Sequence, residues 1–137
     1  MLPDIYIAGK FDAKDRLRIE RDRICALKAG HVISLWLDEE TAAPDETRTK
    51  GTGLSAEEGR TYAKRDLYEI QTADLLILDT FDDNLRGGRE VEFGFALATG
   101  IPVWVVGPKR NVFHELARHF ASWPDVLEQL IVQRRNA

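Results

Sequence analysis

The sequence predicts an α/β fold built on a parallel sheet, and three observations support this prediction. Short apolar segments alternate along the chain with longer amphipathic segments of helical period. The central apolar segment, residues 75–78, is unbroken, as in a strand that helices cover on both faces. Gly9 and Gly107 directly follow the first and the fourth apolar segments, where the chain must turn. A strand–helix repeat of this kind predicts right-handed crossovers and helices on both faces of the sheet.

Five strands are expected in the spatial order 2-1-3-4-5, a flavodoxin-like doubly wound five-stranded parallel sheet of the α/β class. The strands are predicted at residues 5–8, 31–37, 75–78, 103–106 and 120–122. The first two helices are predicted at residues 13–29 and 55–72. The third helix begins after the Gly87-Gly88 pair, and the last two are predicted at residues 111–119 and 124–133. Ser55 and Glu58 form a capping box for the second helix, and Asn111 caps the fourth. Residues 38–53 lack periodicity and are interpreted as a binding loop or as surface variation.

The helix faces that pack on the sheet follow from the spacing of the apolar residues. The expected inward residues are Leu17, Ile24, Cys25 and Leu27 in the first helix, Tyr62, Ala63, Leu67 and Ile70 in the second, and Val91, Phe95 and Ala98 in the third. Charged residues such as Arg65 and Glu69 are assigned to the outer face of the second helix.

The composition is that of a globular protein, with 137 residues of which 44% are hydrophobic and 31% charged. This length fits one domain spanning residues 1–137. The formal net charge of −4 argues against a nucleic-acid partner. No long apolar segment occurs near the N-terminus, so neither a signal peptide nor a membrane span is expected, and one cysteine fits a reducing compartment. We therefore expect a cytoplasmic protein without a membrane partner.

The predicted strand order places a ligand crevice where the segments leaving the first and the third strands diverge. Tyr6, Gly9 and Lys10 lie in or directly after the first of these strands. Asp79 follows the third strand, and Glu92 lies across a polar loop from it. Several unusual polar residues therefore converge on one predicted crevice.

Two carboxyl groups in this region suit acid–base and nucleophilic chemistry. Glu92 lies in the first turn of the third helix, where the helix N-terminus favours an anion and where Gly88 and Ala96 leave the carboxylate unscreened. Asp66 lies in the inward stripe of the second helix, where burial would raise its pKa and keep it protonated. Two structural alternatives stay open: Glu92 only complements the helix dipole, and Asp66 only pairs with a neighbouring arginine.

Three short patterns occur together along the chain. They are Tyr6-Ile7-Ala8-Gly9 at the end of the first strand, the stretch from Asp66 to Ala73-Asp74, and Gly-x-x-x-Glu-x-Gly-x-Ala from Gly88 to Ala96. Together they resemble the nucleoside 2-deoxyribosyltransferase-like superfamily, which includes the 2′-deoxynucleoside 5′-phosphate N-hydrolases. The resemblance spans most of the chain.

This resemblance implies a reaction and a role for each position. It implies cleavage of an N-glycosidic bond in which Glu92 is the nucleophile, Asp66 donates a proton to the leaving base and Tyr6 orients the nucleophile. In a retaining cleavage, one carboxylate acts as the nucleophile and one acid protonates the leaving group. The predicted substrate-binding residues are Gly9, Lys10, Arg86, Gly88 and Asn111, with Gly9 allowing close approach of the substrate.

The expected partner is a small nucleoside or nucleotide, and no cofactor is implied. No metal is expected either, because His31, His114 and His119 lack the spacing of ligands and are assigned to helix surfaces. At least a homodimer is expected, since the sites of the resembling family lie at subunit contacts. Aromatic surface for such a contact is assigned to Trp104, Phe113 and Trp123.

The sequence leaves the substrate open, and it leaves open whether water or a second base accepts the sugar. Residues 80–86 are charged where the hydrolases carry small hydroxyl residues for the phosphate, which favours a nucleoside over a 5′-monophosphate. Lys10, Arg86 and Arg89 are the cations that could still hold a phosphate. A non-catalytic nucleotide-binding module is an alternative from another class. A phosphoacceptor receiver domain, suggested by Asp79, lacks the acidic pair after the first strand.

Overall fold

The centre of the structure is a five-stranded parallel sheet in the order β2-β1-β3-β4-β5. The computed structural model describes residues 1–39, 55–83 and 87–136. Its strands are β1 Asp4–Ala8, β2 His31–Val32, β3 Leu75–Asp79, β4 Val103–Val106 and β5 Arg118–Phe120. The predicted fold class and strand order are therefore confirmed.

In the part of the chain that the structure describes, four α-helices connect and cover the strands. They are α1 Lys14–Ala26, α2 Ala56–Thr72, α3 Gly88–Thr99 and α4 Trp123–Arg135. The predicted capping box begins α2, because Ser55 Oγ accepts a hydrogen bond from the Glu58 N–H and the Glu58 carboxyl accepts one from the Ser55 N–H, both at 3.0 Å. Within the described ranges, three short 3₁₀ helices lie at Phe11–Ala13, Leu35–Asp38 and Val112–Leu116.

The core lies on both faces of the sheet. All five residues of β3 are buried, as the unbroken apolar segment predicted, and residues 5–8 of β1 are buried beside them. The helices contribute Leu17, Ile24, Ile70, Phe93, Ala96, Val126 and Leu130 to this core. The carboxyl ends of β1 and β3 are thereby held side by side, with Ala8 opposite Leu78 in the ladder.

Strand β2 is shorter than the seven residues predicted, because side chains replace part of its ladder. Ser34 Oγ accepts a hydrogen bond from the Ile7 N–H at 3.1 Å, and Trp36 Nε1 donates one to the Ile7 carbonyl at 2.7 Å. These two bonds satisfy the backbone groups of β1 that a longer β2 would have paired. The chain then turns into the 3₁₀ helix Leu35–Asp38.

The prediction of the inward face of α3 was wrong for two of its three residues. Val91 is 65% exposed and Ala98 is also exposed, whereas Phe95 is partly buried and packs against the core as predicted. The buried residues of the helix are Arg89, Phe93 and Ala96. The Phe93 ring packs against the edge of a buried histidine ring, and this contact orients the helix.

The prediction for the end of α1 was also wrong. The helix ends at Ala26, so Leu27 lies beyond its last turn and is 42% exposed. Cys25 is exposed rather than part of the core, because it lies about 100° around the helix from the buried Ile24.

The last part of the chain differs from the prediction in its boundaries. Asn111 caps a helix as expected, but this helix is the 3₁₀ segment Val112–Leu116 and not residues 111–119. The fifth strand begins earlier, at Arg118. Of the three aromatic residues assigned to a homodimer contact, Trp104 and Trp123 are buried within the chain and Phe113 is 60% exposed. Two of the three aromatic residues therefore give that assembly no support, and it stays a prediction.

Within the described residues, no helix combines the length and the apolar character needed to cross a membrane.

Gly107, directly after β4, generates a prediction about stability. Its φ of 114° lies in the region that favours glycine, and an added Cβ would lie 2.6 Å from Thr80 Oγ1 and 3.1 Å from the Phe81 nitrogen. Gly107→Ala should therefore lower the free energy of unfolding by about 2 kcal/mol or more, measured by urea denaturation. Gly59→Ala is the matched control, because Gly59 lies in α2 with open space around it, and it should stabilise by about 0.5–1 kcal/mol. Equal effects of the two changes would contradict this account of Gly107.

Candidate active site

The candidate site is centred on a hydrogen bond between β1 and α3. The Tyr6 hydroxyl donates to Glu92 Oε2 at 2.7 Å, and Tyr6 is fully buried in the core. Glu92 is a partly exposed residue whose carboxyl group lies deep among protein atoms. It is the fifth residue of α3, just beyond the first turn in which it was predicted, so the helix N-terminus acts on it only weakly.

Asp66 lies on the inner face of α2, and its side chain is 19% exposed. Its Oδ1 accepts hydrogen bonds from Arg65 Nη2 at 2.8 Å and from Arg65 Nε at 3.2 Å. Arg65 also bonds to the carboxylate of Glu39, and its guanidinium lies 5.1 Å from the centre of the Tyr62 ring. Asp66 therefore faces inward, as predicted, and it is also paired with a neighbouring arginine.

Glu69 is an acid of this region that sequence reasoning assigned to the wrong face of α2. It is buried, at 8% exposure, and its Oε1 accepts a hydrogen bond from the Leu35 N–H at 3.2 Å. A signal was present in the sequence, because Glu69 follows Tyr62 by seven residues and Asp66 by three, which places all three on one helix face.

Burial controls the protonation of these carboxyl groups. Burial raises the pKa of Glu92 to about 8; the hydrogen bond from Tyr6 opposes this, and the charges of Asp66 and Glu69 add to it. Burial also raises the pKa of Asp66, against the opposing effect of Arg65. The pKa of Glu69 is raised by burial as well, and the Leu35 N–H opposes that rise.

The expectation that Glu92 is ionised in the free protein was therefore wrong. With a pKa of about 8, the Glu92 carboxyl group is mostly protonated at neutral pH. The physical reason is that desolvation of the carboxylate outweighs both the helix dipole and the one hydrogen bond from Tyr6.

Gly9 and Lys10 follow β1 at the edge of the sheet where the candidate site lies. A Cβ on Gly9 would lie 2.7 Å from Leu17 Cδ1 and 3.7 Å from Asp79 Cβ. The absence of a side chain there allows α1 to pack closely, which is a structural reason for the glycine. Lys10 is partly exposed, and its ammonium group makes no hydrogen bond or ion pair with any described residue. The next residue, Phe11, forms an aromatic pair with Trp36, and their ring centres lie 6.2 Å apart.

The remaining predicted substrate-binding residues differ in their positions. Gly88 is the first residue of α3, and no described atom lies within 4 Å of the place of its missing Cβ. Arg86 lies outside the described residues, as does most of the predicted loop at residues 38–53. Asn111 caps the following 3₁₀ helix through its Oδ1 and donates from Nδ2 to Glu90 Oε1 at 2.9 Å. These contacts belong to a network other than that of Tyr6 and Glu92.

His114 belongs to the same network as Asn111, and its assignment to a helix surface was wrong. The residue is fully buried. Its Nδ1 accepts a hydrogen bond from the Arg110 N–H at 2.9 Å, and its Nε2 lies 2.9 Å from Glu90 Oε1. Both ring nitrogens therefore have partners, which explains how a histidine is accommodated beside Phe93. Among the described residues there is no group of three or more His, Cys, Asp or Glu side chains that could hold a metal ion.

Asp79, at the carboxyl end of β3, is fully engaged by hydrogen-bond donors. Arg16 binds it through Nη1 at 2.8 Å and Nη2 at 2.9 Å, and Trp123 Nε1 donates to it at 2.7 Å. The Phe81 N–H donates at 3.1 Å. Arg89, predicted as a cation for a phosphate, is buried and donates to the carbonyls of Asp79 at 3.3 Å and Asp82 at 2.7 Å. These residues hold the turn after β3 and leave Asp79 no free acceptor for a ligand.

Comparison with known proteins gives the fold a context. No family model and no curated protein matches the chain. A solved structure of a 2-deoxyribosyltransferase from Bacillus psychrosaccharolyticus is similar, with a TM-score of 0.66 and 24% identity over 90% of each chain. A conserved protein from Enterococcus faecalis V583 has a TM-score of 0.66 and 20% identity over 97% of this chain and 99% of its own.

A CMP N-glycosidase from Clostridium botulinum is also similar, with a TM-score of 0.55 and 18% identity over 94% of this chain and 98% of its own. At identities of 18–24% these similarities establish the fold. The fold that the sequence resemblance implied is thus confirmed: the chain shares it, over nearly its whole length, with a 2-deoxyribosyltransferase and a CMP N-glycosidase.

Proposed function

We propose that this protein is an enzyme that cleaves the N-glycosidic bond of deoxynucleosides and passes the sugar to water or to a second base. The observation that carries the proposal is the hydrogen bond from the buried Tyr6 hydroxyl to Glu92, with Asp66 on the neighbouring helix. The shared fold with a 2-deoxyribosyltransferase and a CMP N-glycosidase supports the same class of reaction.

The first step of the proposed reaction forms a covalent intermediate. The Glu92 carboxylate attacks C1′ of the sugar, and a bond forms between its oxygen and that carbon. The bond between C1′ and the base nitrogen breaks, its electron pair stays on the base, and a proton from Asp66 neutralises the base as it leaves. Tyr6 keeps the attacking carboxylate in one orientation through its hydroxyl.

The second step releases the sugar. Water or the nitrogen of a second base attacks C1′, the ester bond to Glu92 breaks with its electron pair returning to the carboxylate, and Asp66 accepts the proton of the attacking group. The product keeps the original configuration at C1′ because each step inverts it once. Hydrolysis and transfer differ only in which acceptor occupies the place of the departed base.

One proton has to be shared between the two acids in this scheme. The productive arrangement has Asp66 protonated and Glu92 ionised, whereas burial favours the proton on Glu92 in the free protein. Both arrangements carry the same number of protons, so the pair is active over the pH range in which it holds one proton. The Tyr6 hydrogen bond favours the ionised form of Glu92 and therefore the productive arrangement.

A nucleoside fits the described residues better than a 5′-monophosphate does. Arg89 is turned inward and Arg16 is bound by Asp79, so neither presents a free guanidinium to a phosphate. The 2′-deoxynucleoside 5′-phosphate N-hydrolase activity is the second candidate, and the observation that favours it is the ammonium group of Lys10, which has no partner among the described residues. We further propose a homodimer, supported by the exposed apolar residues Phe113 and Leu116.

Glu92→Gln should reduce nucleobase release by roughly a thousandfold or more, because an amide cannot form the glycosyl ester. Release is measured by chromatography with a panel of deoxynucleosides and their 5′-monophosphates, with and without a second base. Glu128→Gln on the exposed face of α4 is the matched control and should behave as the unmodified protein. Base release that survives in Glu92→Gln would exclude Glu92 as the nucleophile, and no release from the unmodified protein with any compound would favour the non-catalytic binding module.

Asp66→Asn should slow the reaction according to the leaving group. For a base that departs poorly without protonation, the loss should be roughly a hundredfold to ten thousandfold. For a base that leaves readily, the loss should be small, because protonation then contributes little. The measurement is kcat/KM across nucleosides with bases of graded basicity; an equal loss for all of them would assign Asp66 a structural role.

The pH dependence of kcat/KM should be bell-shaped. Above the Glu92 pKa of about 8 the pair of acids loses its shared proton, so the rate should fall about tenfold per pH unit. At low pH the rate should fall again as the pair takes up a second proton. A rate that keeps rising from pH 7 to pH 10 would show that the shared proton is not required.

A further inference from the structure

Glu69 is a buried acid that the proposed reaction does not use. It follows Asp66 by three residues on α2, so the two carboxyl groups extend from the same face of the helix. One oxygen, Oε1, accepts the hydrogen bond from the Leu35 N–H at 3.2 Å. The other oxygen has no hydrogen-bond partner among the described residues. A single bond to the segment after β2 therefore holds a carboxyl group inside the protein.

Titratable and charged groups face Glu69 from every element packed against this face of α2. They are Asp66 and Arg65 on α2, Tyr6 on β1, Glu92 on α3 and Glu39 after the 3₁₀ helix. Arg65 is the one cation of this group, and its guanidinium bonds to Asp66 and to Glu39. Neither Glu69 nor Glu92 makes an ion pair with it in the part of the chain that the structure describes.

These contacts divide the four carboxyl groups into two pairs. Asp66 and Glu39 are compensated by direct bonds to Arg65, whereas Glu69 and Glu92 each have one neutral donor, the Leu35 N–H and the Tyr6 hydroxyl. Burial raises the pKa of both Glu69 and Glu92, and neither carboxyl group bonds directly to a cation in the described part of the chain. A negative charge on Glu69 raises the pKa of Glu92 further.

We propose that Glu69 is a positioning residue of the candidate site, which anchors the Leu35 end of the segment after β2 and keeps a third carboxyl group on the face of α2 that carries Asp66, so that the site retains a proton for the leaving base. The use of that proton rests on the proposed function. Retention of the proton by Glu92 does not depend on the proposed function, and it can be measured in the protein without any substrate.

The test is a carbon-13 NMR titration of the full-length protein labelled at the glutamate carboxyl carbons, with Glu92→Gln used to assign the Glu92 resonance. Glu69→Gln keeps an oxygen acceptor for the Leu35 N–H and nearly the same volume, and it removes the charge. The titration midpoint of Glu92 should fall by about 1 pH unit in this variant, because a neighbouring negative charge no longer opposes ionisation. Glu57→Gln, an exposed position on the same helix, is the matched control and should leave the midpoint unchanged.

A second uncharged variant protects the test against a folding defect. Glu69→Met fills the same space without burying an amide, and circular dichroism shows which variants are folded. A Glu92 midpoint that is unchanged in every folded, uncharged variant at position 69 would overturn the proposal. A fall in these variants that is absent from Glu57→Gln supports it.

The activity measurement separates this inference from the proposed function. In Glu69→Gln the alkaline limb of the kcat/KM profile for 2′-deoxycytidine and 2′-deoxyadenosine should move to lower pH, by the same amount as the NMR midpoint. A merely structural role for Glu69 would lower the rate at all pH values and leave the limb in place, which contradicts the proposal. If the unmodified protein releases no base, the proposed function fails, and the NMR midpoints alone decide the role of Glu69.

Discussion

The hydrogen bond between the Tyr6 hydroxyl and Glu92 is the interaction on which the rest of the candidate site depends. It joins the central part of the sheet to the helix that follows β3, at a donor–acceptor distance of 2.7 Å. Because Tyr6 is fully buried, its ring is fixed by packing, and the hydroxyl can hold the carboxyl group in one place. Burial of the Glu92 carboxyl group itself raises its pKa to about 8, and the hydrogen bond from Tyr6 opposes this rise. Tyr6 therefore acts on both the orientation and the protonation of this acid.

The turn after β3 is held by residues that have no chemical role in the proposed reaction. Asp79 accepts hydrogen bonds from Arg16, Trp123 and the backbone after β3, and this holds α1, α4 and the turn at the end of the strand together. Arg89 donates to two carbonyls of the same turn. A turn fixed in this way positions the start of α3 and therefore Glu92 itself.

The sequence predicted the sheet and the inward position of Asp66 because these follow from local patterns. An unbroken apolar segment predicted the fully buried β3, and the Ser55–Glu58 capping box predicted where α2 begins. Asp66 was found because an acid in an apolar stripe is unusual at the level of the sequence.

The features that were missed depend on contacts between distant parts of the chain. The short β2 results from side-chain bonds of Ser34 and Trp36 to Ile7. The inward position of Glu69 depends on the Leu35 N–H, and that of His114 on Glu90 and the Arg110 N–H. In each case a polar side chain is buried because a specific partner satisfies it, and apolar periodicity contains no information about such partners.

The central claim is that Glu92 forms a covalent bond to the sugar. It is tested most directly by mixing the protein with a 2′-deoxy-2′-fluoroarabinosyl nucleoside, whose fluorine slows breakdown of the intermediate, and stopping the reaction with acid. Mass spectrometry of the intact protein and its peptides then locates the adduct. The account predicts a mass increase of one fluoropentosyl group on the peptide that contains Glu92, and no adduct in Glu92→Gln. Release of the base without any adduct, or an adduct on a peptide that lacks Glu92, would contradict it.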